Sequence, residues 1–211
     1  MTRIIGGSVG GRRLQTPSGD RTRPTSDRVR EALFSAIESW CGSLHGLRVL
    51  DLYAGSGAVG LEAWSRGAQA VTLVESERRT AALVEVNARE LGCRVADVRA
   101  LTVHAALAAP AGVPFDVVYS DPPYPLDEEA LATDLELLQA WLAPEALVVV
   151  ERSRRSPEPR WPGGIVGDRS KRYGDTVLWY GHAARPPHQA DEAHQIDQTD
   201  HTDQTDESED A

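Results

Sequence analysis

The chain has 211 residues, 41% of them hydrophobic, enough to bury one full α/β core and short for two. It lacks both the run of roughly 20 apolar residues a membrane helix needs and, in the opening MTRIIGGSVGG, the apolar stretch of a secretory signal, so a cytoplasmic protein is expected. The formal charge of −10 argues at first against a nucleic-acid partner, but residues 183–211 hold nine acidic residues and one arginine, which leaves only −2 on residues 1–182.

Within that body the charge is uneven. Residues 1–30 carry seven arginines against Asp20 and Asp27, and residues 152–172 carry seven Arg or Lys against Glu158 and Asp168, so each stretch is +5. In chain order, IIGGSVGGRRLQTP has the paired glycines and alternation of a short β-hairpin. RPTSDRVREALFSAIESW then begins a helix that Thr25, Ser26 or Asp27 can cap, with Val29, Leu33, Ile37 and Trp40 forming one apolar stripe. Residues 1–45 are read as an extension that packs on the main domain.

From residue 48 onward short β-rich runs alternate with helical ones, which predicts βαβ units and a mostly parallel sheet. The clear strands are RVLDLY (48–53), AVTLVE (70–75), FDVVYS (115–120) and ALVVVE (146–151), with a weaker one near 94–99. Their near-continuous apolar character suits strands covered on both faces. Helices are expected over 58–66, 77–91 and 127–142, and DTVLWYG (175–181) closes the domain in a hairpin with a strand near 164–167. Cys41 and Cys93 are far apart and form no C-x-x-C pair, so both are read as small buried hydrophobes. Residues 46–182 make up the main domain; 183–211 is an acidic tail too poor in aliphatics to order, and its His188, His194 and His201 are assigned no metal.

DLYAGSGAVGLEA places Gly55, Gly57 and Gly60 between a strand and a helix, the setting in which a glycine motif binds a ligand. Glycine lets the backbone approach the ligand, and the helix start offers amides to an anionic group such as a carboxylate. Glu75, ending the next strand, can accept both hydroxyls of a ribose. The glycine pattern by itself fits nicotinamide and flavin dinucleotides as well. Asp51 discriminates, because its carboxylate would repel a pyrophosphate and attract an ammonium; the competing reading is that it caps the loop by bonding backbone amides. The candidate cofactor residues are Asp51, Tyr53, Ala54, Gly55, Ser56, Gly57, Glu75 and Ser76.

Ser120-Asp121-Pro122-Pro123-Tyr124 follows the strand FDVVYS, at the sheet edge where such folds place ligands. Two prolines fix φ and remove two amide donors, so the turn presents carbonyls to a base amine. Asp121 can accept one hydrogen of an exocyclic NH2, the Pro122 carbonyl the other, and Tyr124 can stack on the extruded base. Transfer of a sulfonium methyl asks for alignment and desolvation rather than a strong base or a metal. The bland reading is a proline turn that ends a strand. Asp121, Pro122, Pro123 and Tyr124 are the catalytic candidates.

Together D-L-Y-A-G-S-G, D-P-P-Y and R-P-T-S-D-R-V-R-E-A-L-F resemble bacterial small-subunit ribosomal RNA guanine-N2 methyltransferases of the RsmD type, over about residues 1–182. The resemblance implies a class I (Rossmann-like) seven-stranded α/β fold with an antiparallel C-terminal strand, S-adenosyl-L-methionine as cofactor and 16S rRNA or an assembling 30S subunit as partner. It also implies that Arg23, Thr25 and Arg28 lie near the mouth of the site. The sequence departs from many class I enzymes after the third strand, where Leu101-Thr102-Val103-His104-Ala105 has no acidic residue to hold the adenine amine. Arg12, Arg13, Arg23, Thr25, Arg28, Arg30, Lys171 and Arg172 are the RNA-binding candidates, since a guanidinium pairs well with phosphate, although arginines on a first helical turn are also an ordinary solvated face. A monomer is expected. Because D-P-P-Y also serves DNA adenine-N6 and protein glutamine-N5 enzymes, those activities are the alternative, with a noncatalytic RNA-binding module as a third reading.

Overall fold

The computed structural model describes residues 2–17, 26–123 and 126–184. In chain order the elements are α1 (Asp27–Cys41), β1 (Arg48–Leu52), α2 (Ala58–Ser65), β2 (Ala70–Val74), α3 (Arg78–Leu91), β3 (Ala96–Arg99), α4 (Val103–Ala108), β4 (Phe115–Ser120), α5 (Glu128–Leu138), β5 (Leu142–Ser153), β6 (Ile165–Tyr173) and β7 (Thr176–Ala183). The strands form one sheet in the order β3-β2-β1-β4-β5-β7-β6. The first five are parallel, and β7 runs antiparallel to both β5 and β6. This is the expected class: a mostly parallel seven-stranded α/β sheet with an antiparallel final strand.

Alternation along each strand splits the core into two layers. Val49, Val71, Leu73, Val117, Tyr119 and Val149 pack with side chains of α1, α2 and α3, whereas Leu50, Leu52, Val74, Val118, Val148 and Val150 pack with α4, α5 and Trp141. Both faces are covered, which explains why the strands read as unbroken apolar runs. Among the described residues no helix is long and apolar enough to cross a membrane.

The N-terminal segment is built into the first layer. Ile4, Leu14, Leu33, Phe34 and Ile37 lie in the same cluster as Val49 and Val71, so the division at residue 45 marks no break in the core. The expected hairpin is reduced to one antiparallel bridge, Arg3 to Arg13, with Ile4 N donating to Arg12 O at 2.9 Å and Gly11 N to Ile4 O at 2.8 Å. The strap gains its hold on α2 instead. The buried Glu62 accepts from the amides of Ile5 (3.2 Å) and Gly6 (3.3 Å), and Ser65 Oγ accepts from Val9 N at 3.1 Å while donating to Gly6 O at 2.7 Å. Gly7, at φ 81°, passes so close to the Ser65 carbonyl that a Cβ would collide with it.

Several expectations shift. Ser26 is the cap of α1, its hydroxyl accepting from Val29 N at 3.3 Å. Phe34 rather than Trp40 completes the buried stripe, and Trp40 is exposed against the His182 ring at 5.3 Å. The helix expected to reach 142 ends at Leu138, followed by a 3-10 turn, Gln139–Trp141. Strand β5 then starts at Leu142, with a register shift between the pairs Phe115/Leu142 and Val117/Leu147. Strand β6 extends to Tyr173, well past 167. Helix α4, capped by the Thr102 hydroxyl on Ala105 N at 3.2 Å, has six residues and gave no periodicity to find. Ala183, assigned to the tail, still belongs to β7, and the tail from residue 185 on lies outside the described residues.

Candidate active site

The carboxyl ends of the parallel strands line up in one row. Val74, Leu52, Ser120 and Val150 are register partners across β2, β1, β4 and β5. Beyond that row the ladder continues by single bonds: Ala54 N donates to Val74 O at 2.9 Å and Asp121 N to Leu52 O at 3.4 Å. The turn carrying Asp121 is therefore stitched to the last residue of β1, directly before the glycine loop begins.

That loop reverses direction through three left-handed residues, Tyr53 (φ 65°), Gly55 (φ 55°) and Gly57 (φ 78°). The non-glycine Tyr53 is anchored at its far end, where its hydroxyl donates to Asp134 Oδ2 at 3.0 Å; His104 Nδ1 lies 3.2 Å from the other oxygen of the same carboxylate. The glycines divide their labour. A Cβ on Gly57 would stand 2.9 Å from Val84 Cγ1 and one on Gly60 2.7 Å from Leu73 Cδ2, so these two let α2 settle onto the sheet. A Cβ on Gly55 would meet open space, so at this position the backbone is clear for close approach by a ligand.

Two carboxylates flank this opening. Asp51 is buried, and its Oδ2 accepts from Gly60 N at 2.8 Å. Desolvation pushes its pKa up to about 7, with the charge of Glu75 adding to the rise and the Gly60 amide opposing it. The half-buried Glu75 accepts from Gly55 N at 3.0 Å and from Glu77 N at 2.8 Å. Asp51 thus does cap the loop, as the competing reading held, and its burial there suppresses the charge until a cation comes to meet it. Ala54 is buried, Ser56 is half-buried with its carbonyl turned to Asn87, and Ser76 is exposed. This donor set repels a pyrophosphate and suits a ligand bringing an ammonium and a vicinal diol.

On the other side of the row Asp121 is half-buried, Pro122 buried and Pro123 exposed, with Leu126 N donating to Pro123 O at 2.9 Å. Tyr124 lies outside the described residues. Sequence reasoning missed the neighbours of this turn. Tyr119 donates its hydroxyl to the buried Glu151, which also accepts from the Thr176 hydroxyl at 3.4 Å. The signal was there, since AVTLVE and ALVVVE both end on a glutamate at the same edge of the sheet. Asn87 was also missed. It bonds Gln15 through both amide atoms, Oδ1 accepting from Gln15 N at 2.9 Å and Nδ2 donating to Gln15 O at 3.0 Å, and Nδ2 also donates to Ser56 O at 3.0 Å.

The family described as Conserved hypothetical protein 95 matches residues 2–182. Ribosomal RNA small subunit methyltransferase D of Escherichia coli (strain K12) is 37% identical over 175 residues, covering 80% of this chain and 83% of that protein. The protein of the same name from Haemophilus influenzae is 35% identical, covering 74% and 80%. The chain belongs to the RsmD family. Among solved structures, the hypothetical protein TTHA0928 of Thermus thermophilus superposes with a TM-score of 0.74 at 33% identity, covering 85% of this chain and 98% of that one.

For this member of the RsmD family the structure sorts the basic candidates. Arg12, Arg13 and Arg28 are exposed, Arg12 donating to Glu90 O at 3.1 Å. Lys171 and Arg172 are exposed on the edge strand β6, at the level of Glu151 and Arg152 through their shared register partners Leu178 and Val177. Arg30 is a correction. Its side chain is fully buried, donating to Arg3 O and Asp27 Oδ1, both at 2.8 Å, with Glu62 Oε2 3.9 Å away, so its charge is consumed inside the protein and reaches no phosphate. Arg23 and Thr25 lie outside the described residues.

Proposed function

We propose that the protein is an S-adenosylmethionine-dependent rRNA methyltransferase that modifies the exocyclic N2 amine of a guanine in 16S rRNA, presented as naked RNA or in an assembling 30S subunit. The observation that carries this reading is the bond from Asp121 N to Leu52 O, which fastens the D-P-P turn beside the acidic glycine loop. Family membership supports the rRNA substrate, and the pairing of Asp51 and Glu75 around an open Gly55 supports this cofactor over a dinucleotide.

Bound there, the cofactor supplies an activated methyl group. Asp51 would hold its ammonium end, Gly55 would give the backbone clearance, and Glu75, which now accepts from the Gly55 amide, would accept the ribose hydroxyls. Asp121 accepts one hydrogen of the base amine and the Pro122 carbonyl the other, which turns the nitrogen lone pair out of the ring's conjugation and toward the methyl. Pro122 and Pro123 offer no competing amide donors. Positioning is the source of rate, because no proton has to leave before the nitrogen attacks; the carbon–sulfur bond breaks as the carbon–nitrogen bond forms, S-adenosylhomocysteine departs, and Asp121 takes the proton the methylated amine sheds.

Tritiated cofactor tests the proposal. Label is expected in 30S subunits that lack the modification, in guanine N2, and absent from DNA and release factor. Asp121→Ala should abolish incorporation while cofactor affinity stays within about threefold, as expected for a group that meets the cofactor only through the transition state. Label in DNA or protein instead, or full activity in Asp121→Ala, overturns the reading.

A further inference from the structure

Helix α5 carries an acid where its apolar stripe should run on. Leu131, Leu135 and Leu138 are buried in the same layer as Leu50 and Leu52, and Asp134, on the same face of the helix, is only 7% exposed. A carboxylate among leucines is costly unless its oxygens are bonded. Here both are engaged, Oδ2 by the Tyr53 hydroxyl at 3.0 Å and Oδ1 by His104 Nδ1 at 3.2 Å. Three segments therefore meet at one side chain: the loop leaving β1, the first turn of α4 and the middle of α5.

Tyr53 is the residue that needs holding. Of the three left-handed residues in the loop it alone has a Cβ, and such a conformation persists only where the surroundings over-determine it. The backbone on either side is fixed by the bonds from Asp121 N to Leu52 O and from Ala54 N to Val74 O, and the side chain is fixed by Asp134. Burial, reinforced by the neighbouring Asp134 carboxylate, pushes the Tyr53 pKa up, so the hydroxyl keeps the proton it donates. The same helix leaves the D-P-P turn, and its first turn is fastened to β5 by the ion pair of Glu128 with Arg152. One element thus grips both sides of the site.

We propose that Asp134 is a positioning residue for the cofactor, holding the glycine loop through the Tyr53 hydroxyl in its ligand-binding shape before the ligand arrives. The inference rests on the cofactor in the reading above and is indifferent to which base is methylated. A loop already in the bound shape spares the ligand the cost of ordering it. Once released, the loop is competent in only a fraction of molecules, and apparent affinity falls by that fraction.

The test measures S-adenosylhomocysteine binding by calorimetry and methyl transfer to 30S subunits lacking the modification. In Tyr53→Phe and in Asp134→Ala, the Kd for S-adenosylhomocysteine and the KM for S-adenosylmethionine should each rise roughly tenfold, while kcat stays within about threefold of wild type. The double variant should bind no worse than either single one, since both substitutions remove the same bond. Asp134→Asn keeps an oxygen for the Tyr53 hydroxyl and should lose less than about threefold. Unchanged affinity in Tyr53→Phe, losses that multiply in the double variant, or a loss in Asp134→Asn as large as in Asp134→Ala makes Asp134 a brace of the core and overturns the proposal. If Asp134→Ala does not fold, Tyr53→Phe, which removes a single oxygen atom, and Asp134→Asn decide it between them. A wild-type protein that binds no S-adenosylhomocysteine is a different outcome, which removes the parent reading itself.

Discussion

Asp51 carries opposite burdens with and without ligand. An acid raised from 3.8 to about 7 by burial favours folding in its protonated form; that contribution is whole below pH 4 and is lost as pH rises through 7. Asp51→Asn keeps an oxygen for the Gly60 amide and removes the charge. Relative to wild type, the unliganded variant should therefore gain stability between pH 5 and pH 8, by on the order of 3 kcal/mol. Cofactor affinity should move the other way, rising from pH 6 to pH 8 in wild type and staying low and flat in the variant. Calorimetry at the two pH values checks both; a stability difference independent of pH would refute the assignment of charge. At this scale the sequence was a fair guide to the carboxylates, because a strand ending in Asp or Glu places it at the sheet's edge. It misled at Arg30, because counting charges says nothing of which one is swallowed by the core. Asn87 and Tyr119 gave no warning, since an amide inside a helix and a phenol inside a strand look like ordinary filling until their partners are known.

Helix α2 is the element on which most depends. It starts at the glycine loop and receives the N-terminal strap on Glu62 and Ser65, while Glu62 also neutralises Arg30 and pairs with Arg66 at 2.9 Å. Glu62→Ala leaves the Ile5 and Gly6 amides without their acceptor and takes a buried carboxylate from Arg30 and Arg66, and should cost about 3–5 kcal/mol. The expected fall in melting temperature is roughly 6–20 °C for a chain of this size. Strand β6 is expected to behave differently. Replacing Lys171 and Arg172 by glutamate should leave the melting temperature nearly unchanged, weaken RNA binding and lower the slope of log K against log salt by about 1 for each phosphate no longer neutralised. Arg30→Lys should do the reverse, lowering stability with no change in that slope. Elements with strong periodicity or unbroken apolar runs were legible: β1, β2, β4, α3 and the centre of β5. Strand β6 was read too short because Gly167 to Arg172 is polar throughout and owes its extension to pairing with β7 rather than to any pattern of its own.

At the level of the whole molecule, the parallel sheet follows from the alternation of strand and helix, whereas the strand order that brings the two motif-bearing ends together was not legible. What the sequence hid is that the N-terminal segment is not an appendage. Ile4 and Leu14 are buried in the layer that supports the sheet, so removing residues 1–17 should lower stability, not merely weaken RNA binding. Thermal unfolding of the truncated chain distinguishes the two, and an unchanged melting temperature would contradict the shared core.

Asn87 takes hold of the incoming chain at Gln15 and of the glycine turn at Ser56 with the same side-chain amide. Where RNA on the strap and the cofactor product on the turn both favour this bridged arrangement, thermodynamic reciprocity makes their coupling even-handed. The factor by which RNA tightens the hold on S-adenosylhomocysteine must equal the factor by which S-adenosylhomocysteine tightens the hold on RNA. In Asn87→Ala both factors should relax toward one together, so that product leaves without regard to whether the ribosomal substrate has gone.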